Sequence, residues 1–228
     1  MITDINQIEK NVCWTLFEGD HMLQKENTAH YKSVGVSALN SIFAALNISK
    51  IDSPASILDF GCGSGRVTRW LRAAFANADL CVADVREDSL AFCADAFSAT
   101  AWRSSADISN LNPTRQYDLI WCGSVLTHLS PENSRALLRK FSEWITPNGV
   151  AVVTTHGNKV VRNLLTQKLN YVPAKTHPKL LSDVIKSGYG YVPFENQPVG
   201  FSISTTAWVL GCLAELDCRV IFMSEGAW

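Results

Sequence analysis

The sequence lacks a strong charge of either sign, a long apolar run and any closely spaced pair of cysteines. Its 20 basic and 21 acidic residues give a formal net charge of −1 at pH 7, whereas nucleic-acid-binding domains usually carry a marked basic excess. No apolar stretch reaches the roughly 20 residues that a membrane-spanning helix needs. We therefore expect neither nucleic-acid binding nor insertion into a membrane.

The first residues lack the basic segment and apolar run of a secretory signal peptide, so we expect a cytoplasmic protein. The 7 cysteines are odd in number, and no Cys-x-x-Cys pair occurs. Closely spaced pairs of ligands are typical of zinc sites, so we predict no metal site. The thiols are expected to be reduced and to pack as small apolar side chains.

Short apolar segments alternate with segments of helical periodicity along the middle of the chain. The segments typical of strands buried on both faces are residues 55–60, 79–85, 117–122 and 149–155, with a weaker one at 100–104. One of the helices between them is predicted to begin at Pro131, with Ser130 as its cap. This alternation indicates an α/β fold with a Rossmann-like, doubly wound, mostly parallel sheet and helices on both faces.

The segments outside this pattern suggest four parts. They are an N-terminal helical cover at residues 1–52, a ligand-binding α/β core at 53–157, an insert at 158–203, and a helix and strand at 204–228 that complete the core. The insert begins as a helix and is predicted to end in an aromatic loop at residues 188–194. We expect it to cover the substrate as a lid.

Three alternating glycines follow the first predicted strand. Asp59 precedes Gly61, Gly63 and Gly65, and a helix is predicted to follow them. Open parallel sheets bind ligands at the carboxyl ends of their strands, and glycine lets the backbone approach a ligand closely. The third glycine comes one residue too early for the dinucleotide pattern Gly-x-Gly-x-x-Gly. Asp59 would also repel a pyrophosphate, but it suits a ligand that carries an ammonium and a sulfonium.

Two further acids follow later strands of the predicted sheet. Asp84 ends the second strand, where a carboxylate can accept hydrogen bonds from a ribose diol. Asp107 and Ile108 follow the weaker third strand. There an acid can meet an adenine amino group, and an apolar side chain can meet its ring.

Together these motifs resemble those of the class I methyltransferases that use S-adenosylmethionine (SAM). Asp59 with the alternating glycines matches that family's most diagnostic motif, and Asp84, Asp107 and residues 117–128 match its later motifs in order. The resemblance covers residues 54–157. It implies that Asp59 and the glycines hold the methionine end of SAM, that Asp84 holds the ribose and that Asp107 meets the adenine. The further contacts predicted for the cofactor are Tyr31, Cys62, Arg66, Val85, Ile108, Cys122, Gly123 and Ser124.

Two histidines are placed to take a proton from a hydroxyl acceptor. His156 follows the apolar run at residues 149–155, and strand carboxyl ends face the site. We predict it as the general base or as a group that orients the acceptor; the alternative is a hydrogen-bonded histidine that fixes the loop. For His128, after the strand at residues 117–122, the resemblance implies a structural link near the cofactor as the alternative to catalysis.

A finer resemblance, to a bacterial subgroup associated with glycosyltransferases and surface polysaccharides, suggests the acceptor. Its motifs are His30-Tyr-Lys-Ser-Val-Gly, Thr154-Thr-His-Gly, Gly188-Tyr-Gly-Tyr and Gly226-Ala-Trp. It implies O-methylation of a hydroxyl on a sugar, a glycan or a small metabolite. The alternatives are N-methylation of a small molecule, a SAM-binding scaffold subunit without activity and, for the glycine turn, a NAD-type oxidoreductase.

The insert carries residues that bear on the acceptor. Its basic residues Arg162, Lys168, Lys175 and Lys179 predict either attraction of an anionic acceptor or a solvated helix face. Its aromatic residues Tyr189, Tyr191, Phe194 and Phe201 predict either stacking on sugar rings or packing of the lid.

The resemblance also implies a sheet edge that this chain does not complete. The family fold normally ends with an antiparallel seventh strand, whereas the sequence offers six strands, the last at residues 218–224. We expect that last strand to pair with residues 150–155, or a strand to be drawn from residues 200–204 or from a second subunit in a homodimer. Unpaired backbone groups beside the strand would otherwise remain unsatisfied.

Overall fold

The computed structural model describes residues 4–23, 28–113 and 115–226. Within them, the strands of the main sheet are β1 (Ser56–Phe60), β2 (Asp79–Asp84), β3 (Thr100–Arg103), β4 (Tyr117–Cys122) and β5 (Ile145–Val153). They are all parallel and lie in the order β3-β2-β1-β4-β5. The predicted doubly wound α/β sheet is confirmed.

Helices cover both faces of this sheet. They are α1 (Ile5–Glu9), α2 (Thr28–Ile48), α3 (Thr68–Ala74), α4 (Glu87–Ala96), α5 (Pro131–Trp144), α6 (Asn158–Leu165), α7 (His177–Ser187) and α8 (Thr206–Ala214). Strand residues alternate between the two layers, since Ile57 and Leu80 pack with α2 and α3 while Leu58 and Cys81 pack with α5. Helix α5 begins as predicted, because Ser130 Oγ accepts a hydrogen bond from the N–H of Asn133.

The insert forms a second, two-stranded sheet. Its antiparallel strands are β6 (Tyr189–Pro193) and β7 (Gly200–Ser204). The predicted aromatic loop at residues 188–194 is therefore wrong. Gly188 ends α7 in the left-handed region, at φ 76°, and the chain then enters a ladder in which Tyr189 lies opposite Ser204. Residues 200–204 form the expected strand, but they pair with β6 and not with the main sheet.

The predicted strand at residues 218–224 is also wrong, because the segment has no regular structure. It joins neither sheet, and β5 stands at the end of the main sheet with one edge unpaired among the described residues. The edge is open as expected, but neither of the segments expected to pair there, residues 218–224 and 200–204, does so. This end of the chain is held instead by hydrogen bonds that the N–H groups of Asn158 and Lys159, in the first turn of α6, donate to the carboxylate of Glu225.

Three further observations concern the chain as a whole. None of the helices in the described ranges is long and apolar enough to cross a bilayer. In the same ranges, no group of three or more His, Cys, Asp or Glu side chains is arranged to hold a metal ion. All 7 cysteines are free, and five of them are buried.

Candidate active site

The glycine loop between β1 and α3 requires glycine at each alternating position. Gly61, Gly63 and Gly65 have φ values of 77°, 53° and 80°, which other residues rarely adopt. A Cβ atom would lie 2.3 Å from Val125 Cγ2 at Gly61, and 2.3 Å from Phe97 Cε2 at Gly65. At Gly63, by contrast, it would meet no atom within 4 Å. The middle glycine therefore borders open space, where a ligand can approach the backbone.

Asp59 lies beneath this loop at the end of β1 and is only 1% exposed. Its Oδ2 accepts a hydrogen bond of 2.6 Å from the hydroxyl of Thr68 on α3. Burial raises the pKa of Asp59 to about 7, with a further contribution from the nearby Asp84, although the Thr68 hydrogen bond acts in the opposite direction. A carboxylate buried in this way is stabilised by a cationic ligand, as the sequence predicts for the methionine end of SAM.

A cavity of about 40 Å³ adjoins Asp59 and the loop. The residues that line it are Asp59, Gly61, Cys62, Arg66, Val67, Trp121 and Gly123. All but Val67 and Trp121 are among the predicted cofactor contacts, so the fold brings this part of the predicted set together.

Asp84 supports the loop from the end of β2. Its Oδ2 accepts a hydrogen bond of 2.8 Å from the N–H of Gly63, and its Oδ1 accepts one of 2.9 Å from the N–H of Arg86. Val85, next in the chain, is 51% exposed and leaves an apolar surface beside the carboxylate. An acid and an uncovered apolar side chain at this strand end suit a ribose and the ring attached to it.

The structure separates the two predicted adenine contacts. Asp107 is exposed and caps the short 3₁₀ helix Ile108–Asn110, accepting hydrogen bonds from the N–H and the hydroxyl of Ser109. These hydrogen bonds lower the pKa of Asp107. Ile108, in contrast, is buried in the core layer that contains Leu58 and Phe60. Only the carboxylate of Asp107 is open to a ligand in this arrangement.

The predicted contacts after β4 lie on a loop that is tied to the loop after β5. Cys122 is fully buried, and Gly123 lines the small cavity. Ser124 has a positive φ of 60°, and its N–H donates a hydrogen bond of 2.7 Å to the hydroxyl of Thr154. This hydrogen bond links the carboxyl ends of β4 and β5, where the two histidines follow.

Tyr31 and Arg66 occupy different positions relative to the cavity. Tyr31 is buried, and its hydroxyl oxygen accepts a hydrogen bond of 3.5 Å from Nη2 of Arg69. Burial raises the pKa of Tyr31. Arg66 lines both the small cavity and a larger groove beside it.

The sequence analysis did not predict two residues of α3 that contact this site, Thr68 beside Asp59 and Arg69 beside Tyr31. Polar residues on a short helix usually face solvent, so the pattern gave no signal for either.

The larger groove has a volume of about 1480 Å³. It is lined by parts of α2, β5, the insert and residues 217–226, and by the loops that carry His128 and His156. Arg66 and Trp121 line both spaces, so the groove adjoins the cavity at the glycine loop. A cofactor at the loop and an acceptor in the groove would therefore be neighbours.

The two histidines are both anchored to strand β7. Nδ1 of His156 donates a hydrogen bond of 2.9 Å to the carbonyl of Ser202, and Nδ1 of His128 donates one of 2.9 Å to that of Gly200. A carbonyl oxygen can only accept, so the Nδ1 atoms carry the protons. Burial lowers the pKa of His156, and the nearby His128 acts in the same direction, whereas the hydrogen bond to Ser202 opposes them. The ring of His156 is thus held in place, as in the alternative of a histidine that fixes the loop. Its Nε2, however, has no hydrogen bond to any described residue and remains able to accept a proton.

The aromatic residues of the insert divide into packing and groove-lining groups. Tyr189 is buried and donates a hydrogen bond of 2.9 Å to the carbonyl of Leu129, so it packs the insert against the loop after β4. Phe194 and Phe201 line the groove. Tyr171, which the sequence pattern missed, also lines it, is 69% exposed and lies nearly parallel to the ring of His156, at an interplanar angle of 9°.

The four basic residues singled out in the insert lie elsewhere. None of Arg162, Lys168, Lys175 and Lys179 lines the groove, and Lys179 forms an ion pair with Asp183. This agrees with the solvated-face interpretation. The lysines and arginines that do line the groove are Lys50, Arg66, Lys159 and Arg219.

The chain is therefore a Rossmann-like domain with a candidate ligand site at the carboxyl ends of its parallel strands. Residues 58–151 match the family model described as a methyltransferase domain. A trans-aconitate 2-methyltransferase from Methylobacterium nodulans is 30% identical over 106 residues, which are 46% of this chain and 40% of that protein. This chain thus matches two fifths of the length of its curated relative.

A solved structure shares the fold over most of the chain. It is a S-adenosylmethionine-dependent methyltransferase from Clostridium acetobutylicum, 16% identical, with a TM-score of 0.54 over 82% of this chain and 85% of that one. Residues 58–151 thus match a methyltransferase domain, and the chain shares its fold with a SAM-dependent methyltransferase. The domain match agrees with the predicted methyltransferase family, and the shared structure agrees with the predicted Rossmann-like fold.

Proposed function

We propose that this protein transfers a methyl group from SAM to a hydroxyl group of a sugar or another small molecule, with His156 as the general base. The observation that carries the proposal is the position of His156 in the groove beside the glycine loop. Its Nδ1 is held by the carbonyl of Ser202, and its Nε2 has no hydrogen bond to a described residue. That tautomer is the one that can accept a proton.

The residues around the small cavity suit the cofactor. Asp59 offers a buried carboxylate to the cationic methionine end, and Gly63 offers an open approach to the backbone. Asp84, at the end of β2, offers a carboxylate to a ribose diol. When bound, SAM supplies a methyl group that its sulfonium already activates for transfer. The protein's own task is therefore to align the acceptor, exclude water and remove a proton.

His156 is suited to remove that proton from a hydroxyl group. Since burial lowers its pKa, the imidazole is neutral and able to act as a base at neutral pH. Nε2 would take the proton of the acceptor hydroxyl as that oxygen bonds to the methyl carbon, while the bond from this carbon to the sulfur of SAM breaks and S-adenosylhomocysteine leaves. The ring keeps its orientation meanwhile, because Nδ1 remains bound to Ser202.

The groove supports a ring-shaped acceptor. Tyr171 presents a largely exposed ring beside His156, and the ring of Phe201 lies 4.8 Å from that of His156 between centroids. The exposed face of Tyr171 can stack on a sugar or an aromatic ring, whereas Phe201 is only 2% exposed and packs behind the imidazole. The curated relative is named for trans-aconitate, so a small metabolite with a hydroxyl or carboxyl oxygen belongs in the same search.

The test is a screen of acceptors with isotopically labelled SAM, covering sugars, nucleotide sugars, hydroxy acids, phenols and amines. We expect labelled product from a hydroxyl acceptor, and a loss of about 10²-fold or more in turnover for His156→Ala with nearly unchanged SAM affinity. His30→Ala is the matched control, since His30 also lines the groove. Transfer to amines alone, or full activity of His156→Ala, would contradict the proposal. Tight SAM binding without turnover of any acceptor would instead favour a scaffold role.

A further inference from the structure

Arg69, on α3, joins the cofactor loop to the N-terminal segment. Its side chain is buried, with 1% exposure. Nε donates a hydrogen bond of 3.0 Å to the carbonyl of Gly65, the last glycine of the loop. Nη1 donates to the carbonyls of Cys13 and Thr15 at 2.8 and 3.0 Å. One guanidinium therefore fastens two parts of the chain that are about fifty residues apart in sequence.

Three aromatic rings enclose the same guanidinium. Its central carbon lies 5.8 Å from the ring centroid of Trp14, 5.6 Å from that of Tyr31 and 5.2 Å from that of Phe97, within the range of cation–π attraction. Phe97 is also the side chain that a Cβ at Gly65 would strike. The end of the glycine loop is thus confined on one side by Phe97 and held at its carbonyl by Arg69.

The hydrogen bonds of Arg69 to the described residues all end on neutral oxygens, three carbonyls and the hydroxyl of Tyr31. A buried cation without a carboxylate partner is costly, and apolar side chains of similar shape often replace such groups without loss of stability. The property that an apolar residue would lack is the planar set of donors, which can hold several carbonyls at once.

We propose that Arg69 is a positioning residue that couples the N-terminal segment at residues 13–20 to the cofactor loop, so that the two form one SAM-binding unit. The inference rests on the proposed binding of SAM at the glycine loop. A charge effect supports it, because Asp20 at the end of this segment favours the charged form of Arg66, which lines the cofactor cavity, and so opposes the lowering of its pKa by burial.

Arg72 provides a matched control on the same helix. It too donates only to backbone carbonyls, from Nε to Phe97 at 2.8 Å, from Nη1 to Ala78 at 3.0 Å and from Nη2 to Ser98 at 3.0 Å. None of these acceptors belongs to the glycine loop or to the N-terminal segment. Arg72→Lys therefore removes a comparable set of hydrogen bonds and leaves those from Arg69 to Gly65, Cys13 and Thr15 in place.

The experiment compares the full chain with its Arg69→Lys and Arg72→Lys variants. SAM affinity is measured by calorimetry, and amide hydrogen exchange is followed in residues 11–20 and 60–70 with and without SAM. Lysine keeps the charge but cannot reach several carbonyls as a planar fork does. We expect Arg69→Lys to weaken SAM binding about tenfold or more, and to abolish the protection that SAM gives to residues 11–20. Arg72→Lys should bind SAM within about twofold of the unchanged protein.

The ligand-free exchange rates test the link without SAM. They should rise in both segments for Arg69→Lys but not for Arg72→Lys. Trp14→Ala, at a partly exposed ring over the guanidinium, tests the same link if Arg69→Lys fails to fold. Equal SAM affinities for the two lysine variants, or unchanged exchange in residues 11–20, would overturn the proposal. A lack of SAM binding by the unchanged protein would refute the proposed function, and the ligand-free exchange would still decide whether Arg69 couples the two segments.

Discussion

The carboxylate of Asp84 is bound to the backbone of Gly63, with a distance of 2.8 Å between Oδ2 and the glycine nitrogen. The end of β2 thereby fixes the middle glycine of the loop that follows β1. Asp84, which the sequence predicts to bind the ribose, therefore also holds the loop that is predicted to bind the methionine end. Binding of the cofactor and order of the loop should depend on the same side chain.

Replacement of Asp84 should separate these two tasks. Asp84→Ala removes both the hydrogen bond to Gly63 and the predicted ribose contact. We expect the free energy of SAM binding to become less favourable by about 1 to 3 kcal/mol, the scale for hydrogen bonds to a charged group. Asp84→Asn keeps an oxygen that can accept from the N–H of Gly63, so its loss should be smaller. Calorimetry with SAM and with NADH measures both effects. Tight binding of NADH without binding of SAM would refute the cofactor assignment.

The three glycines should differ in how they tolerate a methyl group. Gly61→Ala and Gly65→Ala place a Cβ 2.3 Å from a neighbouring side chain and should unfold or strongly destabilise the domain. Gly63→Ala meets no protein atom, so its cost should be only the strain of a positive φ, about 1 kcal/mol. SAM binding should nevertheless fall about tenfold or more, because the methyl group enters the ligand space. Thermal unfolding and calorimetry together test this contrast, which would be absent if Gly63→Ala bound SAM normally.

The titration of Asp59 should make SAM binding dependent on pH. Its pKa is raised to about 7 in the folded protein from 3.8, so the carboxylate that a cationic ligand needs is lost as the pH falls below 7. SAM affinity should therefore decrease toward pH 5.5, by up to about tenfold per pH unit. A flat affinity profile between pH 5.5 and 8.5 would contradict this role for Asp59.

The raised pKa of Asp59 also makes the free energy of unfolding depend on pH. Between about pH 4 and 7 the unfolded chain releases the Asp59 proton while the folded chain keeps it, so the ligand-free protein loses stability as the pH rises through this window. Asp59→Asn removes the buried charge and should stabilise the ligand-free protein by roughly 1 to 3 kcal/mol at pH 8, while abolishing SAM binding. Unfolding curves at pH 5 and pH 8 provide the measurement. No gain in stability at pH 8 would show that Asp59 is solvated better than its burial indicates.

Sequence patterns predict the core of this fold well because their signals are local. Apolar runs mark the buried strands, Ser130 and Pro131 mark the start of α5, and the glycine spacing marks the loop. Each signal is carried by neighbouring residues and needs no knowledge of distant partners. For the same reason the cavity around Asp59 could be predicted from one short motif.

The parts that escaped prediction depend on distant contacts. Residues 189–193 are a strand only because residues 200–204 pair with them. Residues 218–224 are apolar enough for a strand, but they do not pair with the open edge of β5. The role of Arg69 is likewise hidden, because its partners are backbone carbonyls, which every residue has and no pattern reveals.

The rate of methyl transfer should follow the protonation of His156. Because burial lowers its pKa below the ordinary value of 6.5, the imidazole should stay neutral, and the enzyme active, down to a pH below 6.5. The acidic limb of the kcat profile should therefore lie below pH 6.5. It should disappear in His156→Gln, whose residual rate should be lower by about 10²-fold or more. Phe201→Leu uncovers part of the imidazole, whose ring centroid lies 4.8 Å from that of Phe201, and should move the limb upward. An acidic limb above pH 7 in the unchanged protein would show that a group other than His156 limits the rate.

The carboxylate of Glu225 should control access to the groove. Its two oxygens accept hydrogen bonds from the N–H groups of Asn158 and Lys159, at 2.9 and 3.2 Å, and so hold residues 217–226 against the first turn of α6. The contact depends on Gly157, because a Cβ there would lie 2.5 Å from Oε1 of Glu225. Glu225→Gln loses the charge at a helix N-terminus, at a cost of about 0.3 to 1 kcal/mol.

Gly157→Ala should have the same effect as Glu225→Gln by steric displacement, without a change of charge. Both variants should release residues 217–226, seen as faster cleavage of that segment by a protease while the core stays intact. Residues 219–223 line the groove, so their release should also lower the KM for the acceptor and leave SAM affinity unchanged. Lys159→Ala is the control, since it keeps the backbone N–H that Glu225 binds. If only Glu225→Gln speeds cleavage, the charge itself and not the contact at Gly157 holds the segment in place.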